Sequence, residues 1–393
     1  MSEWRKVTIG ELVTLRQGFA INAKSKHYIS KEQTSLALLR IADMKSGSKE
    51  IFVKEDIPQN FIAKPQDIIY TKTGNVGLVF RNNYGVVHNN CFTVTPNDEW
   101  ILSRDFLYYL LQSQYFFEKA NSLARGAAQP DLPHSLFNSI EISYPSLQVQ
   151  NKIATILSRY DSLIENYQKQ IKLLEEAAQR LYKEWFVDLH FPGHEKTKIV
   201  NGVPDGWEKK KITDLITLLN GYAFKSASFD DSGKYKIVTI KNVKDGTFDG
   251  GNVSCIKSIP ERMPLHCKLE QGDILLSLTG NVGRVCMVVG DNFLLNQRVA
   301  KLKSKYPAFT YCLFRNNDMF ISINNLANGA AQQNVSPIRI GELPLIIANI
   351  EILDSFEIIA WRMVSQILSL SSQILYITEA RDRLLPKLMS GEI

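Results

Sequence analysis

Two loops of identical sequence, Thr73-Gly74-Asn75-Val76-Gly77 and Thr279-Gly280-Asn281-Val282-Gly283, carry the residue types best suited to chemistry in this 393-residue chain. Each follows a short apolar run, Asp67-Ile68-Ile69-Tyr70 or Asp273-Ile274-Leu275-Leu276, that reads as a strand entering the loop. Paired glycines let a backbone approach a ligand closely. A threonine hydroxyl beside exposed N–H groups suits a phosphate or a nucleic-acid backbone. A plain tight turn needing positive φ has the same composition, so the neighbours matter. Lys72 precedes the first loop and Arg81-Asn82-Asn83 follows its hairpin. Arg284 directly follows the second, with Asn296-Gln297-Arg298 downstream. Arginine and side-chain amides pair bidentately with guanine and adenine edges, whereas lysine and backbone amides hold phosphates.

Two more polar turns occur twice: Arg125-Gly126-Ala127-Ala128-Gln129 with Asn328-Gly329-Ala330-Ala331-Gln332-Gln333, and Gln17-Gly18-Phe19 with Asn220-Gly221-Tyr222. The candidate nucleic-acid contacts are therefore Lys72, Thr73, Gly74, Asn75, Arg81, Asn82, Arg125 and Gln129 in the first half. Their second-half counterparts are Thr279, Gly280, Asn281, Arg284, Gln297, Arg298 and Gln332. Catalytic patterns are missing. Gly233-Lys234 is followed by Tyr and no phosphate-binding Gly-Lys-Ser/Thr motif exists; no Gly-x-Gly-x-x-Gly opens a helix, and no Pro-Pro dipeptide occurs. Pro204-Asp205 with Glu208-Lys209-Lys210 places its acids three apart, which does not suit two strands converging on a metal. His190 and His194 are separated by Pro192-Gly193 and cannot share a helix face, and His266-Cys267 has no second ligand pair nearby. Neither a catalytic nor a metal-binding residue is expected.

These loops sit inside a long-period repeat. The stretch from Trp4 recurs from Trp207, an offset of 203; the Thr-Gly-Asn-Val-Gly loops are offset by 206, and Gly126-Ala127-Ala128-Gln129 returns to 203 at Gly329. Drift across loops with recovery at motifs marks a duplicated fold. Each repeat opens with about 145 residues of short β-type runs, turn signals such as Asp245-Gly246 and Asp249-Gly250-Gly251, and intervening helices, one predicted over Arg104–Asn121. Strands are predicted to leave the loops over Val76–Phe80 and Val282–Val289.

Each repeat closes with a long helix. Val149, Ile153, Ile156, Tyr160, Leu163, Tyr167, Ile171, Leu174, Ala178, Leu181 and Trp185 step by threes and fours with one stutter, a coiled-coil seam. Leu353, Phe356, Ala360, Met363, Ile367, Leu370, Ile374, Ile377, Arg381, Leu384 and Leu388 form a second seam, with Arg381 on an apolar position and Pro386 expected to end or kink the helix. At roughly 36–40 residues such helices outrun a small domain and must pack on each other. The expected fold is α+β: two duplicated globular α/β domains, 1–146 and 207–349, joined by two long antiparallel coiled-coil helices, 147–190 and 350–393, pseudo-two-fold symmetric. A polar, turn-rich linker over 191–206 completes the chain.

Composition narrows the class. Hydrophobic residues make up 45% and charged residues 22%, ordinary for a globular protein. The net charge of +6 is concentrated in 201–349, with 18 basic against 13 acidic residues, while 350–393 is acidic. No uninterrupted apolar run approaches the roughly 18 residues of a membrane helix. Met1-Ser2-Glu3-Trp4-Arg5-Lys6 has no apolar region of the secretory kind, and five cysteines without a Cys-x-x-Cys pair point to reduced thiols, so a cytoplasmic protein is expected.

At this point the residues resemble a family. The Trp-x-x-x-x-Ile-x-(Asp/Glu)-Leu openings at Trp4–Leu12 and Trp207–Leu215, the Gly272-Asp273-Ile274-Leu275 strand before its loop, the helix start Pro145-Ser146-Leu147-Gln148-Val149-Gln150, and the ending Leu388-Met389-Ser390-Gly391-Glu392-Ile393 are similar to specificity subunits of type I restriction-modification systems. The first repeat departs from the strand pattern, with Gln66-Asp67-Ile68-Ile69, and the second helix start lacks the Pro and Gln. The resemblance covers essentially the whole chain. It implies that the two globular domains are target recognition domains, each reading half of a split double-stranded DNA target, and that the paired helices fix the gap. It implies two methyltransferase subunits docked on those helices, bringing S-adenosyl-methionine, with endonuclease/translocase subunits joining them and no cofactor in this chain. Three other readings remain open on the residues: a protein–protein adaptor with duplicated heads, an orphan DNA-binding protein without catalytic partners, and a stand-alone nuclease or transferase.

Overall fold

A computed structural model describes residues 4–251, 253–327 and 333–393. The chain forms two compact units: Met1–Ser162 with Glu379–Ile393, and Leu163–Thr378. Each contains one globular head and portions of both long helices.

The heads share one wiring. In the first, a four-stranded antiparallel sheet runs in the order Val13–Gln17, Cys91–Pro96, Ile68–Thr71, Val79–Phe80; in the second the order is Thr217–Asn220, Val299–Lys303, Ile274–Ser277, Val285–Met287. The strand entering each loop is buried at all four positions, which is why it reads as an apolar run without alternation. A smaller ladder pairs Arg5–Thr8 with Glu141–Tyr144, and Glu208–Lys211 with Pro344–Ile347. A second sheet in each head contains a parallel pair: Leu36–Leu39 beside Gly85–Val87, and Tyr235–Val238 beside Phe293–Leu295.

Two elements differ from the sequence expectation. The helix predicted over Arg104–Asn121 is two helices, Arg104–Gln112 and Gln114–Leu123, because Ser113 adopts an extended conformation and caps the second by accepting from the Phe116 N–H. The strands leaving the loops are short, Val79–Phe80 and Val285–Met287, since residues on either side enter turns.

The core of the first unit centres on Tyr70, Phe92, Phe116 and Phe137, whose ring centroids lie 5.0–6.0 Å apart. That of the second gathers Tyr182, Phe186, Phe309 and Phe356. The linker folds onto the second head: Phe191 is buried against Trp207 at 4.7 Å, and Ile199–Val200 pairs with Val203–Pro204.

The long helices run Leu147–Tyr182, continued by a π-turn over Lys183–Val187, and Ile350–Ser390. In the first unit Ile153, Ala154 and Leu157 pack with Leu384, Leu385, Leu388 and Met389. In the second, Ala178, Tyr182 and Trp185 pack with Phe356, Ala360, Val364 and Ile367. The beginning of each helix thus meets the end of the other, an antiparallel arrangement. The predicted seam is corrected at its start: Ile156 and Leu163 are each 39% exposed, and Ala154 and Leu157 are buried in their place because the head covers that side of the helix. Pro386 does not end the helix, which continues to Ser390. Pro386 and Asp382, whose carbonyl loses its helical partner, both face solvent, while Leu384, Leu385 and Leu388 hold the last turns in the core. Ile350–Ser390 is long and apolar enough to cross a membrane by length and composition alone; here one stripe of it is core.

Candidate nucleic-acid interface

The three polar turns converge in the first head, and the same backbone hydrogen bonds hold their described counterparts in the second. In the first head the Gly74 N–H donates to the Pro130 carbonyl at 2.7 Å, and the Leu132 N–H to the Lys72 carbonyl at 2.9 Å, so the loop is stitched to the Arg125–Asp131 turn. The Lys72 N–H donates to the Asn90 carbonyl at 2.8 Å, and the Asn89 N–H to the Phe19 carbonyl at 2.9 Å, joining it to residues 88–90 and to the Gln17-Gly18-Phe19 turn. In the second head the equivalents are Gly280 to Gln333 at 2.8 Å, Val335 to Leu278 at 3.0 Å, Leu278 to Arg298 at 3.0 Å and Gln297 to Tyr222 at 3.0 Å.

Side chains lock each loop from within. The Thr71 and Ser277 hydroxyls donate to the Asn75 and Asn281 carbonyls, and accept from the Leu78 and Arg284 N–H groups at 2.9 and 3.0 Å. The Asn121 and Asn324 amides donate to the Val76 and Val282 carbonyls. Gly74 and Gly280 have φ of 81° and 71°, the left-handed region that the turn requires. Gly74, Asn75 and Asn281 lie at or near the surface, as do Arg125, Gln129, Gln297 and Arg298.

Charge divides the two sites. Lys72 lies 3.1 Å from Asp131, which also accepts from the Thr73 hydroxyl. Burial raises the Asp131 carboxyl, but Thr73 and Lys72 outweigh it and hold the group below its ordinary value. Lys72 is therefore already paired with a carboxylate. Leu278 and Asn334 replace the pair in the second head, where the Thr279 hydroxyl donates to the Asn334 oxygen at 2.8 Å.

Arg81 is paired as well. Its guanidinium donates to Tyr109 at 3.1 Å and Asp161 at 3.2 Å, and stacks 4.0 Å over Tyr108. Arg381 donates to the same Asp161 at 2.8 Å, which explains an arginine on an apolar seam. Arg81 thus ties the first head to the helices of its own unit. Asn82 occupies the adjoining left-handed turn, φ 59°. Gln332 lies outside the described residues. Arg284 is half-buried, and its side chain has no hydrogen-bond partner among the described residues.

Sequence reasoning missed His88-Asn89-Asn90. This turn is the structural equivalent of Asn296-Gln297-Arg298 at an offset of 208: His88 bridges Phe19 as Asn296 bridges Tyr222. No letter is shared, so only strict tracking of the repeat register would have exposed it.

The comparisons with known proteins agree with one another. A family model described as "Type I restriction modification DNA specificity domain" matches residues 1–176 and 204–360. The chain is 27% identical over 352 residues to the type I restriction enzyme MjaIX specificity subunit of Methanocaldococcus jannaschii, covering 83% of this chain and 77% of that protein. It is 23% identical, over the full length of both, to the HindI specificity subunit of Haemophilus influenzae. The crystal structure of the type I restriction-modification S subunit from M. genitalium superposes with a TM-score of 0.60 at 18% identity, covering 98% of this chain and 96% of that one, which establishes the fold.

Proposed function

We propose that this chain, which belongs to the family of type I restriction-modification DNA specificity subunits, reads a bipartite double-stranded DNA target with one head per half-site. The observation that carries the reading is the duplicated loop constellation: two heads present the same backbone-pinned loops, with glycine turns and exposed arginine and amide side chains. The chain is the non-catalytic recognition component. The paired helices set the unread gap between half-sites and dock two methyltransferase subunits, to which endonuclease/translocase subunits add. S-adenosyl-methionine binds to the methyltransferase partners. An adenine extruded from the duplex is then presented to those partners, so the task of the heads is positioning. The complex works in the cytoplasm, in keeping with five unpaired cysteines.

The test is co-expression with a candidate methyltransferase subunit, followed by mapping of adenine methylation across the host DNA. A split motif with a fixed gap, altered on one side only when one head is exchanged, is the expected outcome. Failure of the subunits to associate, with binding indifferent to DNA sequence and salt, would move the chain to the class of protein adaptors.

A further inference from the structure

Within each head one short turn is fixed by its backbone from several directions while the side chains of its last two residues have no partner among the described residues. In the first head this is 88–90. The Asn89 carbonyl accepts from the Gln17 amide at 2.7 Å, and its N–H donates to Phe19 at 2.9 Å. The Asn90 carbonyl accepts from the Lys72 N–H at 2.8 Å and the Thr73 N–H at 3.2 Å, and its N–H donates to His88 Nδ1 at 3.3 Å. In the second head the Gln297 N–H donates to Tyr222 at 3.0 Å, the Arg298 carbonyl accepts from Leu278 at 3.0 Å, and the Arg298 N–H donates to the Asn296 side chain at 3.2 Å. The side chains of Asn89, Asn90, Gln297 and Arg298 form no hydrogen bond or ion pair with any described residue. The contrast with Lys72 and Arg81, both neutralised by carboxylates, is direct.

A rigid backbone carrying uncommitted polar side chains is what base reading needs. The ordering cost is met in the folded state, and the donors are not spent on the protein. The chemistry then follows from the side chains. Asparagine and glutamine present a donor and an acceptor that match the adenine N7 and N6 edge, and the arginine fork matches guanine O6 and N7. We propose that 88–90 and 296–298 are the base-reading turns, that Asn89 or Asn90 selects adenine in the half-site of the first head, and that Arg298 selects guanine in that of the second. The assignment rests on the DNA-recognition reading above and adds which residues read and what they read.

The experiment is selection of duplexes from a library with two randomised half-sites, using the full chain assembled with its methyltransferase partners. Wild type should enrich a split motif with an adenine in one half and a guanine in the other. Arg298→Lys keeps the charge and loses the fork. It should lose at least tenfold of the guanine preference at one position of one half-site while keeping affinity for other sequences. Asn89→Ala with Asn90→Ala should relax the adenine position in the opposite half-site alone. All these side chains are at least partly solvent-facing, so unchanged melting temperatures will show that the variants fold. Retention of the guanine by Arg298→Ala overturns the assignment, and an equal loss of affinity for every sequence in that variant overturns it too and makes Arg298 a phosphate contact. An assembled wild-type complex that enriches no sequence instead overturns the DNA-recognition reading itself.

Discussion

The Thr279 hydroxyl donates to the Asn334 side-chain oxygen at 2.8 Å, across 55 residues of chain, and Thr73 makes the equivalent bond to Asp131 in the first head. Through this bond the second head's glycine loop shares one frame with the turn that follows its helices. Thr279→Val keeps the shape and removes the donor, leaving the Asn334 oxygen to find water. We expect a loss of about 1 kcal/mol of stability and weaker binding to the second half-site alone. Chemical denaturation and footprinting of each half-site check the two effects.

Asp161 sits between two guanidinium groups, accepting from Arg381 at 2.8 Å and Arg81 at 3.2 Å, with the Tyr109 hydroxyl donating at 2.6 Å. Its side chain is 14% exposed. Asp161→Ala removes the carboxylate that Arg81 and Arg381 share, leaving Arg381 with Asp382 at 2.9 Å and Arg81 with Asp105 at 3.6 Å, and should destabilise the protein by about 2 kcal/mol, more than Arg81→Ala or Arg381→Ala, each of which leaves the carboxylate the other arginine and the Tyr109 hydroxyl. Urea titrations of the three variants will rank them. An Arg81→Ala loss equal to that of Asp161→Ala would show that Arg381 contributes nothing to the network.

Gly221 lies so close to Asn296 that an added Cβ would overlap its carbonyl oxygen, and Gly18 stands in the same relation to His88. Neither position needs positive φ; what each needs is the missing side chain. Gly221→Ala should displace 296–298 and reduce binding at the second half-site by more than tenfold while leaving the first unchanged. Gly18→Ala should do the reverse. Half-site footprinting distinguishes the two.

Burial holds both His88 and His134 below the ordinary imidazole value of 6.5, helped by the nearby cations Arg40 and Lys72 respectively. The unfolded chain therefore takes up protons that the folded first unit refuses. Their contribution to stability is complete above pH 6.5 and is lost as the pH falls from there through the lowered folded values. Thermal melts between pH 8 and pH 5.5 should show stability declining on the acid side. His134→Leu, which removes a ring packed edge-on to Phe92 whose Nε2 has no hydrogen-bond partner among the described residues, should flatten part of that decline.

The sequence alone settled the duplication, because register-keeping repeats survive in the letters themselves: identical Thr-Gly-Asn-Val-Gly loops demand the same turn twice. It also settled the two long helices, whose apolar spacing is a local property of the chain. The strand entering each loop was legible for the same reason. The partner of each charge was not legible. Asp161 and Arg81 lie 80 residues apart, and Lys72 and Asp131 lie 59 apart, so only the packed structure decides that these cations are spent on carboxylates. The missed turn at His88-Asn89-Asn90 has the same origin. Its equivalence to Asn296-Gln297-Arg298 resides in backbone hydrogen bonds, which any side chain can make and which leave no mark on residue identity. Local periodicity and repetition are written along the chain; which polar side chains remain uncommitted is set by contacts between segments distant in sequence, and those exist only once the chain has folded.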